Sequence, residues 1–133
     1  MEEKEILQEI IGYLQKRYIG FNEIYTITNQ LQEAIGYDDV VTMRMLIRMR
    51  QQEMESMDKL NLQLQACLAQ LTEEQKKAIR DGNQLCFLQE NTAMLQRIME
   101  LQEKNRHLLE RLIEQDERVN RKIAGEKSYY QTK

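Results

Sequence analysis

The stretch that decides the fold is residues 83–123, NQLCFLQENTAMLQRIMELQEKNRHLLERLIEQDERVNRKI. It has no proline, and its apolar residues recur at helical intervals. One row, spaced by sevens, is Phe87, Met94, Leu101 and Leu108. A second passes through Ile98, Leu112 and Val119, with Asn91 and Asn105 in the same register. A third, Leu88, Leu95, Leu109 and Ile123, widens the stripe and is interrupted by Gln102 and Asp116. Threes, fours and sevens mean that one side of a long helix faces a partner. At about 1.5 Å per residue the helix would be roughly 60 Å long. A rod of that kind holds its shape only with its stripe against other helices.

Two earlier segments supply them. Over residues 2–35, Leu7, Ile10, Ile11, Leu14, Tyr18, Phe21, Tyr25 and Thr28 keep to one side, broadened by Ile24, Leu31 and Ile35. Gly12 and Gly20 interrupt this pattern, either as tolerated glycines or as places where another helix comes close. Gly36 is placed to end the helix as a C′ glycine. Asp38 or Asp39 then offers an N-cap. A second helix over about 39–71 carries Met43, Leu46, Ile47, Met54, Met57, Leu60, Leu64, Cys67, Leu68 and Leu71. Arg50 and Glu53 fall where core residues belong. The seam is either wet there or the stems pack while the charges reach water, and packing is expected to be loosest near Arg50 to Glu55.

Thr72-Glu73-Glu74-Gln75 has the residues of a capping box and predicts a short helix over Glu73–Arg80. Asp81-Gly82-Asn83 is a turn signal before the long third helix, the alternative being one bent helix from Thr72 onward. Gly125 is expected to close that helix, leaving residues 126–133 as a tail. The fold class is therefore all-α: one domain over residues 1–125, an antiparallel bundle of three long helices with a short connector helix and coiled-coil-like packing.

Composition agrees. The 133 residues are 31 % charged and 6 % aromatic, without tryptophan or proline. This is the balance of long helices with solvated faces. A net charge of −3 gives no argument for a nucleic-acid partner. Residues 102–133, with eight bases against six acids, read as an ordinary solvated face. No apolar run approaches a membrane span, and the Met-Glu-Glu-Lys-Glu start is no signal peptide. Cys67 and Cys86 form no metal or redox spacing and are expected to be buried free thiols.

Chemistry is sparse. The single histidine, His107, with Glu103 one turn before it, cannot supply the ligands of a di-iron bundle, which needs two. There is no phosphate loop and no nucleophile with a base. The expectation is a protein that is not an enzyme and needs no cofactor or metal. The informative feature is methionine: eight in all, five of them between Met43 and Met57. Methionine fills variable shapes, so these are either core filler or a strip for an amphipathic partner helix. Asn91 and Asn105 either set register or bond a partner's backbone. The candidate partner-binding residues are Met45, Met49, Met54, Met57, Leu88, Leu95, Ile98, Leu101, Asn105, Leu108 and Leu112.

Several stretches carry a resemblance. They are Tyr25-Thr26-Ile27-Thr28, Leu31-Gln32-Glu33-Ala34, Asp38-Asp39, Leu46, Arg50-Gln51-Gln52 and Met57-Asp58-Lys59-Leu60. Near the end come Asn105-Arg106-His107-Leu108-Leu109 and Tyr129-Tyr130. The chain resembles flagellar type III export chaperones of the FliT/FlgN type, more the FliT than the FlgN pattern along Tyr25–Leu60. The resemblance implies a protein of the bacterial cytoplasm. It would bind the amphipathic helical terminus of a late flagellar subunit, a filament-cap or hook-associated protein, and deliver it to the export apparatus. It also implies that residues 109–133 control access to the groove. The competing expectation is a coiled-coil structural or adaptor protein that self-associates without a client. A chaperone should leave an apolar strip uncovered, or covered by a second copy in a homodimer; a self-contained bundle would hide it.

Overall fold

In the computed structural model, which describes residues 2–83 and 85–131 with side chains to residue 123, four α-helices follow one another. They are α1 (Glu3–Gly36), α2 (Val40–Leu68), α3 (Glu73–Asp81) and α4 (Thr92–Gln131), with a 3₁₀ turn at Gln89–Asn91 before the last. α1, α2 and α4 run up, down, up, as the periodicities require, and among the described residues there is no strand.

The turn between α1 and α2 corrects the expected cap. Gly36 is still helical; the left-handed residue is Asp38, at φ 56°. Aspartate tolerates this region better than most residues. Asp39 is the N-cap of α2. Its carboxylate accepts from the Thr42 backbone N–H at 3.1 Å and the Thr42 hydroxyl at 2.6 Å. The two hydrogen bonds hold the Asp39 carboxyl below its ordinary pKa.

The capping box forms as read: Gln75 N–H donates to Thr72 Oγ1, and Thr72 N–H to Gln75 Oε1, both at 3.1 Å. Gly82, at φ 76°, then stops α3 in the left-handed region. The chain breaks here instead of bending. Asn83 Oδ1 accepts from Leu85 N–H at 2.9 Å, a local turn that competes with helix. Glu3, at the start of α1, accepts from Leu88 N–H at 3.0 Å and from the Asn91 side chain. The long helix therefore begins at Thr92, not Asn83. At its other end it continues through Gly125 to Gln131, because a lone glycine without a following proline weakens a helix but does not end it. Thr132 and Lys133, the end of the expected tail, lie outside the described residues.

α1 is the middle rod. α2 and α4 each pack along its length, whereas α2 and α4 scarcely approach each other. The core accordingly lies in two larger clusters with a thin waist between them. Near the start of α1, Leu7, Ile10 and Leu14 meet Leu64, Cys67, Leu71, Leu95, Ile98 and Leu101. At the far end Ile27, Leu31 and Ile35 meet Leu46 and Val119. The waist holds Ile24, Met57 and Leu112. Fully burying such a side chain stabilises by roughly 1.5–3 kcal/mol, so the two ends anchor the rods. Gly20 explains the waist on the α2 side: a Cβ there would overlap the Met57 sulfur. Gly12 has open space around it and is merely tolerated.

Two polar residues pin α4 to α1. Asn105 donates from Nδ2 to the Leu14 carbonyl at 3.2 Å and the Leu101 carbonyl at 2.7 Å. Gln115, wholly buried, donates from Nε2 to the Tyr25 carbonyl at 2.9 Å and Asn29 Oδ1 at 2.8 Å.

Candidate functional site: a furrow between the second and fourth helices

Because α2 and α4 do not close on each other, a furrow runs between them with α1 as its floor. Its apolar half encloses about 610 Å³. Phe21 and Ile24 of α1 form the floor. Met54 and Met57 line the α2 wall, and Leu109, Leu112 and Ile113 the α4 wall. Leu109 and Ile113 are exposed, at 43 % and 53 %, and so is Met54 on the opposite wall. The second half, about 940 Å³, is more polar and opens toward α3, with Leu68 and Met99 opposed and Lys76, Arg80 and Asp81 at its margin. Both halves share Arg17, Gln102 and Arg106. On α4 the furrow extends from Met99 to Asp116. That is about 25 Å at the helical rise, or some five turns of a partner helix.

The third heptad row explains why the furrow stays open. Leu95 is buried at one end of it. Gln102 and Asp116 then replace apolar residues, and Leu109 between them has nothing opposite to cover it. On α2 the matching misfit is Arg50, which crosses to pair with Asp116 and donates from Nε to Thr28 Oγ1 at 3.1 Å.

The candidate residues named from sequence separate into three groups. Met54, Met57, Asn105 and Leu112 come together around the furrow. Leu95, Ile98, Leu101 and Leu108 do not: each is 5 % exposed or less, packed inside the bundle. This corrects their assignment as contact surface. Met57, Asn105 and Leu112 are themselves buried, and Asn105 has committed both amide hydrogens within the chain, the register role. Met45, Met49 and Leu88 are exposed but lie elsewhere. Met45 lines a cleft of about 380 Å³ at the α1–α2 turn, and Leu88 one of about 520 Å³ by Glu3 and Met94. The sequence reading missed Leu109 and Ile113. Their signal was there: Leu109 belongs to the interrupted row, and Ile113 lies one turn further along α4 beside it.

Other groups have ordinary surroundings. His107 is exposed and meets Glu103 at 2.9 Å. Among the described residues there is no group of three or more His, Cys, Asp or Glu side chains that could hold a metal, and no helix long and apolar enough to cross a membrane. Cys67 is buried as expected, but Cys86 is exposed in the loop before α4. No family model, curated protein or solved structure matches this chain.

Proposed function

We propose that this chain is a flagellar export chaperone of the FliT/FlgN type. It holds the amphipathic helical terminus of a late flagellar subunit, a filament-cap or hook-associated protein, in the furrow between α2 and α4. It keeps that terminus from assembling in the bacterial cytoplasm and presents it to the export apparatus. One observation carries the reading: an apolar furrow lined by Met54, Leu109, Leu112 and Ile113 is left open along two rods that share a third. An amphipathic helix laid there would supply the side that α2 and α4 fail to give each other. Methionine on the wall suits clients of differing side-chain shape. Ordering a disordered terminus costs several kcal/mol, which keeps affinity moderate and release feasible.

The test is co-expression of the full chain with tagged C-terminal segments of flagellar cap and hook-associated proteins. A stable complex is expected with one of them. Ile113→Glu and Met54→Glu, at exposed positions, should abolish it while leaving the helical circular dichroism unchanged. Failure to capture any of these termini would overturn the assignment.

A second reading has its own observation. Val41, Met45 and Met49 follow one another at four-residue spacing along α2, all exposed, and none of them lines the furrow. Such a row favours self-association through the outer side of α2. Sedimentation of the wild type against Val41→Glu separates this from client capture.

A further inference from the structure

Three arginines line the apolar half of the furrow: Arg17, Arg50 and Arg106. Arg50 pairs with Asp116, and Arg106 with Glu103 and Glu110. Arg17 pairs with no carboxylate among the described residues. Its Nε donates to Asn105 Oδ1 at 3.3 Å, and its guanidinium lies 5.9 Å from the Phe21 ring centroid. Those contacts orient the fork and leave its terminal nitrogens without an acceptor among the described residues. Arg17 is half-buried and belongs to both halves of the furrow, so it sits at the midpoint of the space. Burial lowers its pKa, yet a guanidinium keeps its proton at neutral pH. A half-desolvated cation without a counterion is costly, and a planar fork matches a carboxylate with two parallel hydrogen bonds.

Resting on the capture reading above, we infer that the helix held in the furrow carries an aspartate or glutamate at the margin of its apolar face, and that Arg17 binds this carboxylate and sets the register of the bound helix. The spacing follows from α1. Arg17 and Ile24, the apolar floor, are seven residues apart, about 10 Å at the helical rise. An aligned helix spans that distance in the same number of residues. Its acidic residue therefore lies about two turns from its central apolar anchor. Asp116 is neutralised by Arg50 and does not oppose this. Asp58, on the α2 rim, is exposed, and water screens it.

The test uses the full chain and fluorescein-labelled amphipathic helical peptides about 18 residues long, enough to fill the furrow. Each has a leucine face. One carries glutamate two turns from its central leucine, a second glutamine there, a third lysine there, and a fourth the glutamate on its polar face. Anisotropy titration should show the first bound roughly tenfold more tightly than the second or fourth, an advantage that shrinks as salt rises. Arg17→Gln should erase the preference without weakening the glutamine peptide, and Arg17→Glu should shift it to the lysine peptide. Circular dichroism checks that the variants fold. If one does not, the peptide series and its salt dependence on the wild type decide. Equal binding of the glutamate and glutamine peptides to the wild type would overturn the role of Arg17 and leave capture standing. No binding at all, or binding undiminished by Ile113→Glu, would overturn both.

Discussion

Arg50 of α2 and Asp116 of α4 form an ion pair across the furrow, and the same guanidinium donates to Thr28 of α1. Thr28 in turn donates from its hydroxyl to the Ile24 carbonyl at 2.7 Å. One side chain thus touches all three long helices at the level where the core is thinnest. Since α2 and α4 have few other contacts, this pair is a strap between them. Asp116→Asn should cost about 0.5–1.5 kcal/mol, an exposed pair strengthened by one half-buried partner. The sharper readout is local. Amide exchange in α2 around Arg50 should accelerate, while exchange near Leu64 and Leu95 stays as in the wild type.

The two mid-helix glycines of α1 should respond oppositely to alanine. Gly12 has nothing near its missing Cβ, so Gly12→Ala should stabilise by about 0.5–1 kcal/mol through helix propensity and a less free unfolded chain. Gly20→Ala drives a methyl into the Met57 thioether and should destabilise by about 1–2 kcal/mol, because Met57 is buried and must find another rotamer. Urea unfolding followed by circular dichroism measures both. Equal shifts in the two variants would contradict the close approach.

Asn105 should behave as a buried clamp. Asn105→Ala removes two amide donors aimed at the Leu14 and Leu101 carbonyls and the acceptor of Arg17, and should cost about 2–3 kcal/mol. Solvent-facing Lys104→Ala should be nearly neutral by the same urea measurement.

The cysteines should separate by reactivity. Cys86 is exposed and should react with a thiol reagent in the native protein, whereas Cys67 should react only after unfolding. Cys67 donates toward the Ile6 carbonyl at 3.6 Å and the Glu9 carboxylate at 3.4 Å. Burial, then the Glu9 contact, push its thiol up to about 11 from a usual 9.0. A pKa raised on folding gives stability that is complete below the unfolded value and is lost as pH rises toward the folded one. The wild type should therefore lose stability between about pH 9 and 11 relative to Cys67→Ala, read from urea midpoints across that range.

Much of the fold was legible because its signals are local. Thr72 and Gln75 are three residues apart and form their box without help from the rest of the chain. Asp39 caps α2 for the same reason. The start of α4 was misread because Phe87 and Leu88 continue the apolar period, while Glu3, distant in sequence, holds Leu88 and Asn91 out of the helix. The site was half legible. Met54, Met57 and Leu112 were picked out by composition and period, but Leu95, Ile98, Leu101 and Leu108 belong to the interior. A heptad row marks a residue as covered without saying whether its cover is α1 or a visitor.

From the sequence alone came three long rods, the N-caps of α2 and α3, the order of the helices and the up-down-up path, since hydrogen bonds within four residues and short connections dictate these. The tertiary structure decided that α1 lies in the middle and that α2 and α4 stand apart. The reason is steric and electrostatic at long range. Gly20 lets Met57 sink against α1, and Gln102 and Asp116 deny α4 a continuous apolar edge toward α2. Relative rotation of packed helices depends on such pairs of distant residues, and no single stretch of the chain contains both members.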